Sequence, residues 1–477
     1  MIKKIFFIIS GILFLWIGSP INIFAHGFGE RYDLPIPLSF FLIGASLTII
    51  FSFLILLLFY NQKEKTNDFK APIILNQNTI NNIPFKIIKT FVKITSVFIF
   101  LLIILTGYLG SNNPIENFSA PMIWIIWWVG FGIITPIIGD FWKILNPIKI
   151  IFSFIVEKII KQPKFLDTGL LKYPKVLDVW PIIFSFLLFS WFENVGNGSS
   201  PLTLSILITF YSVLTITFMF LFGCKTWLEK GDVFSVYYHI MGSFGIFNIS
   251  QNQNLKISQI SLRLPVLGLA KLKTPTIPFV IFHIILLGTI SFDGLSETSL
   301  WSKIEILIIP SFGRIITESF GIIIIPTLFF ILLWIICWVI SVITKEKTPE
   351  TIITSLIFSL TPIAIAYHIA HYLSYILITG QLIIPLISDP FGFGWNIFGT
   401  ADYSLNIGII NAKTAWYSSV IIIVLGHIFS VIIAHIKAKE IFSKNSIVIK
   451  SQLPFLILMI FYTALSLWII SQPIINH

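Results

Sequence analysis

Residues 361–381 read TPIAIAYHIAHYLSYILITGQ. The run is apolar and long enough to cross a membrane as a helix. It nevertheless carries two histidines, His368 and His371. At about 100° per residue, Thr361, His368, His371, Tyr372, Tyr375 and Thr379 fall on one helical face. Lipid penalises such a face, so it must look into protein or a wet cavity. Pro362 removes a backbone donor near the start of the run, which a bundle tolerates. Two readings follow: a stripe of hydrogen-bonded residues that holds a bundle together, or a metal or proton site.

The rest of the chain extends the membrane reading. Of 477 residues, 56% are hydrophobic and 11% charged, and the mean hydropathy is +0.93. A soluble globular chain carries about a quarter charged residues. The apolar runs have helical rather than strand length, which excludes a β-barrel. The expected fold is therefore an all-α polytopic bundle with the lipid bilayer as its first partner. The net charge of +10 lies in loops between spans and does not imply nucleic acid. Cys224 and Cys337 are the two cysteines, and no Walker, dinucleotide or CxxC motif is present.

Residues 1–25 read as a signal peptide. Lys3 and Lys4 precede an apolar core, Ser19-Pro20 breaks the helix, and Ala25 ends a passable cleavage site. The rival is an uncleaved first helix. Cleavage after Ala25 would make His26 the mature amino terminus, offering an α-amine and an imidazole to one metal ion. Residues 26–477 then form one membrane domain. About ten spans follow, near 38–60, 91–110, 120–139, 178–192, 202–223, 276–293, 318–343, 352–379, 415–436 and 453–471. Of 31 lysines and arginines, two lie in the leader, 25 on one side of these spans, and four (Arg31, Lys303, Arg314 and Lys413) on the other. The positive-inside rule makes the 25-residue side cytoplasmic. The expected location is a bacterial inner membrane, with the mature amino and carboxy termini outside.

Two cytoplasmic segments, 146–160 and 231–247, read as amphipathic helices lying on the membrane surface. Asn146-Pro147 starts the first and its basic face suits an anionic leaflet. The Gly-Asp pairs at 139–140 and 231–232 both follow an outward-to-inward span, which is too little to establish an internal repeat. The outer loop 381–414 is rich in glycine, proline and aromatics. It reads as a cap over the outer mouth of the bundle or as an interfacial aromatic belt.

Depth sorts the intramembrane histidines. At about 1.5 Å per residue, His283 and His427 fall in the inner half, and His368 and His371 near the outer surface. The outer layer also receives His26, Glu30, Asp33, Glu193, Asp293 and Asp389. Three histidines with a carboxylate or water suit Zn, and a terminal amine with two histidines suits Cu. The candidate metal ligands are thus His26, His368 and His371, with Asp293 or Asp389 as general base. Such a site would activate a water for hydrolysis. The alternatives are a transporter or channel for a metal ion or small solute, and a copper- or haem-handling protein. In the haem case His283 and His427 would be the axial pair.

Four stretches together resemble one bacterial family: HGFGERYDLPIP at 26–37, SFDGL at 291–295, AHYLSYILITGQ at 370–381 and SDPFGFGWNIFGT at 388–400. It is a broad family of polytopic membrane proteins, some of which carry the name fenitrothion hydrolase. The resemblance implies cleavage of lipophilic organophosphate-type esters. It supplies no catalytic residues, so the site above rests on this sequence alone.

Overall fold

The structure, a computed structural model, describes residues 36–59, 72–252 and 255–472. The expected leader and His26 lie outside these residues. Ten described helices are long and apolar enough to cross a membrane. In chain order the elements are α1 (Leu38–Phe59), β1 (Ile73–Leu75), α2 (Ile83–Leu109), α3 (Ser119–Ile138), α4 (Trp180–Asn194), α5 (Pro201–Phe222), α6 (Val233–Phe244), β2 (Phe247–Gln251), β3 (Ile257–Leu262), α7 (Ile277–Ser296), α8 (Ser299–Phe312), α9 (Arg314–Thr344), α10 (Thr361–Ile378), α11 (Ala412–Ile441) and α12 (Asn445–Ile470). All but α6 and α8 among the helices are candidate spans. The chain is an all-α polytopic bundle.

Helix α10 is the axis. It is enclosed along nearly its whole length, while α2 exposes nearly all of its own. One turn of 3₁₀-helix, Ile357–Leu360, precedes α10, and Pro362 stands in the first turn, where a missing N–H costs nothing. Against α10 pack α11, α7 and α3. Gly426 of α11 faces Pro362 and Ala366 so closely that a Cβ there would lie 2.7 Å from the Pro362 carbonyl. Small residues are what let helix backbones approach where no water drives them together. The outer ring, by contrast, presents Phe40, Phe51, Phe91, Phe98, Ile323 and Trp338 outward, a surface that only lipid covers cheaply.

Span α3 has an irregularity with consequences for the site. From Met122 to Gly130 it is wound as a π-helix. Its wider turn is rare and is used mostly in short pieces, often at functional sites. Trp127 and Trp128 sit on this stretch, and both face inward onto aromatic neighbours. Trp128 packs on Phe189 with centroids 4.7 Å apart and on Tyr237 at 5.1 Å.

The segment from Gly231 departs from the surface-helix expectation. Val233, Val236, Tyr237, Tyr238, Ile240 and Met241 of α6 are all buried. Its aromatic residues fill the bundle beside the π-helix, and the Tyr238 hydroxyl donates to the Trp127 carbonyl at 3.0 Å. In the segment after Gly139, Asn146 caps the helix Pro147–Phe154 by accepting from the Lys149 amide at 3.0 Å. Lys149, placed by its sequence pattern on a lipid-headgroup face, is buried and donates to the Lys143 carbonyl at 2.8 Å.

The segments that follow the two Gly-Asp pairs bond to each other. Asp140 accepts from Lys143 at 3.1 Å and pairs with His239 at 2.9 Å. Asp232 accepts from Ser235 and from Tyr211, and Asn146 donates to it at 3.4 Å. Burial alone would raise the Asp140 pKa, but Lys143 and His239 together outweigh it and hold it below the usual carboxylate range. A small antiparallel sheet, in the order β1-β3-β2, sits beside these turns.

Substituting Gly426 by Leu should lower the thermal unfolding midpoint in micelles, by the cost of overpacking a closed crossing, about 1–3 kcal/mol. Leu425, exposed beside it, should tolerate Ala with little change. Equal effects at the two positions would mean that the α10–α11 crossing is not tightly packed.

Candidate functional site

The polar face of α10 meets two carboxylates from neighbouring helices near one end of the bundle. Asp293 stands in the last turn of α7 and Glu193 in the last turn of α4. A helix carboxy terminus carries partial negative charge, so both positions disfavour an anion. Their partners compensate. His371 Nε2 lies 2.7 Å from Asp293 Oδ2. The Tyr372 hydroxyl donates to the same oxygen at 2.8 Å and reaches Glu193 Oε1 at 3.2 Å. Trp128 Nε1 donates to that Glu193 oxygen at 2.6 Å.

Proton counting defines what the cluster can do. Tyr372 has one hydroxyl proton and two carboxylates within reach. It can fully serve only one at a time. Trp128 also serves Glu193 and His371 also serves Asp293, so the carboxylate that the phenol leaves keeps another partner. The arrangement can therefore hold a proton and pass it between the two carboxylates. Buried polar networks of this kind have large effects on stability and function because each unmade bond is costly at low dielectric.

Local sequence sets the geometry. Tyr367 and His371 are four residues apart and stack nearly parallel, with centroids 5.8 Å apart and planes at 5°. Gly294, next to Asp293, leaves room for both. A Cβ there would lie 2.5 Å from the Tyr367 hydroxyl and 3.4 Å from His371 Cε1. His368, one turn before Tyr372, packs edge-on against Trp128 with centroids 5.6 Å apart. Its Nε2 is 3.5 Å from the Val129 carbonyl, and Gly132 is the residue that admits the ring.

The structure brings together some of the residues that the sequence singles out. Asp293 and His371 are in direct contact. His368 lies on the same helix, but its Nε2 is directed to Val129 and that of His371 to Asp293, so the two rings do not converge on one point through those atoms. Asp389 is apart from the cluster. Its carboxylate accepts from the amides of Phe393, Gly394 and Trp395 at 3.0, 2.6 and 3.0 Å, and it shapes the turn of the aromatic loop. That loop is fastened to the turn after α2 through the Ser111 and Phe118 amides, which donate to the Phe391 and Pro390 carbonyls. His26 lies outside the described residues. Among the described residues no group of three or more His, Cys, Asp or Glu is placed to hold a metal ion. His283 Nε2 bonds with Thr361 Oγ1 at 2.9 Å, and His427 Nδ1 with the Ile423 carbonyl at 2.8 Å.

The sequence places Glu193 in the outer layer with Asp293 without giving it a role, and it passes over Trp128. Glu193 looked like an interfacial residue at a span end. One signal was available: a lone acid in the last helical turn with no basic residue beside it. Trp128 gave none, because its inward placement depends on the π-helical turn. Compared with protein-family models, with curated proteins and with solved structures, the chain matches none.

Glu297 follows one turn after Asp293, just beyond the span. Burial pushes its carboxyl up to about 7, with the Asp293 charge adding to the effect. A raised folded-state pKa stabilises the fold below the ordinary value of 4.5, and that stabilisation is lost as pH rises towards the folded value. The unfolding midpoint of the wild type should thus fall between pH 4.5 and about 7, and Glu297→Gln should flatten that fall. Parallel curves for the two proteins would show that Glu297 does not titrate in this window.

Proposed function

We propose that this chain is a bacterial inner-membrane transporter that exchanges protons at the Asp293–Tyr372–Glu193–His371 cluster while moving a small solute or cation. The observation that carries the reading is the single Tyr372 hydroxyl shared between two carboxylates of different helices. Titratable groups inside a membrane bundle are costly and mark ion or proton paths. A change of protonation here alters the bonds between α4, α7 and α10, which couples proton occupancy to helix arrangement. Cluster and mature termini both face the outside in this reading, as the charge distribution between spans supports.

A second reading is hydrolytic. A carboxylate that orients an imidazole is also a general-base pair, and the Asp293–His371 contact has that form. The resemblance to the fenitrothion hydrolase family supplies an organophosphate-type ester as its substrate. Metal-dependent versions need His26, His368 and His371 to converge on one Zn or Cu ion, and the contacts of the two described histidines favour separate partners instead. In the copper- and haem-handling readings the ligating atoms would be His283 Nδ1 and His427 Nε2, the ring nitrogens without a hydrogen-bond partner among the described residues.

The test reconstitutes purified protein into vesicles that hold a pH-sensitive dye and applies a potassium diffusion potential with valinomycin. Wild type should admit protons, and Asp293→Asn should abolish that entry at equal folded protein per vesicle. Hydrolysis of an organophosphate triester by wild type, without proton entry, would replace transport by the hydrolytic reading.

A further inference from the structure

Glu193 is unevenly satisfied. Trp128 and Tyr372 both bond to Oε1, no hydrogen bond is made to Oε2 among the described residues, and the residue is only part-buried. Both donors are neutral. The surroundings are aromatic: Trp128, Tyr237, Tyr372 and Tyr375 are all buried, and the last three lie within electrostatic reach of the Glu193 carboxylate. A second observation is independent of the carboxylates. Tyr237 is 0% exposed, and its hydroxyl has no hydrogen-bond partner. It stands on α6 with its ring against Trp128, beside Glu193. A buried phenol hydroxyl without a partner is costly unless something polar occupies the space beside it.

We propose that Glu193 Oε2 and the aromatic walls around it bind a small ammonium cation, and that this cation is the solute of the transport reading, on which the proposal rests. The carboxylate supplies the charge. Indole and phenol faces attract cations through their ring quadrupoles, tryptophan most strongly, and such walls are the recurrent recognition device for alkylated ammonium groups. The Tyr237 hydroxyl supplies an acceptor for an ammonium N–H. A small metal cation would instead call for a fuller shell of oxygen ligands than one carboxylate oxygen and phenols provide. The shared Tyr372 hydroxyl then links occupancy of the two halves. A cation on Glu193 holds that carboxylate ionised and draws the phenol proton towards it, which leaves Asp293 to take its proton from elsewhere.

The experiment measures equilibrium binding of radiolabelled methylammonium to the purified full chain, by scintillation proximity. The account expects saturable binding that tetramethylammonium displaces and that the same concentration of sodium does not. Glu193→Gln should abolish binding, and Trp128→Phe, which keeps a ring but removes the N–H, should weaken it. If Glu193→Gln does not fold, the competition on wild type decides: displacement by sodium as readily as by tetramethylammonium overturns the proposal. No saturable binding by wild type also overturns it. Proton entry is read separately in the vesicle assay, so its loss with methylammonium still bound counts against the transport reading and not against the cation site.

Discussion

One tyrosine proton between two carboxylates is the constraint on which the rest of the bundle depends. Asp293 and Glu193 come from helices whose carboxy ends already repel negative charge, and lipid surrounds the assembly. Isolated, each carboxylate would be expensive to bury. Together with Tyr372, His371 and Trp128 they form a connected network. Such networks stabilise only when nearly complete, so the geometry of all four contributing helices must be held closely.

The packing around α10 supplies that precision. Gly426 brings α11 against its start, Gly132 admits the His368 ring, and Gly294 admits Tyr367 and His371. The π-helical stretch of α3 turns Trp128 towards Glu193, and α6 fills the space behind it with Tyr237 and Tyr238. Helix α6 therefore links the cluster to the Asp140 and Asp232 turns. The carboxylate cluster and those turns thus bear on the same helix.

Much of this was legible in the sequence, for physical reasons. Span length and hydropathy dictate the bundle, because backbone in lipid must satisfy itself. The polar face of α10 was legible because helical periodicity puts His371 and Tyr372 on the side that lipid rejects. Asp293 was legible as an acid near that depth. The partners across helices were not. Trp128 reaches Glu193 only through a π-helical turn that no local propensity announces. His368 and His371 share a face, yet the Nε2 of one is directed to Val129 of α3 and that of the other to Asp293 of α7. The α6 segment misled because an aromatic, amphipathic twelve-residue helix has the same pattern at a membrane surface and inside a bundle. Asp389 accepts from three amides of its own loop, a use of an acid in a glycine-rich turn that the sequence pattern does not separate from chemistry.

The most direct test of the shared proton is infrared difference spectroscopy on protein films titrated with pH. A protonated carboxyl group has a C=O stretch that carboxylates lack. The account predicts a titrating carboxyl band that disappears in Asp293→Asn and shifts in Tyr372→Phe, which keeps the ring and removes the shared proton. A band unchanged in both variants would contradict it, because the two carboxylates would then hold their protons independently of Tyr372.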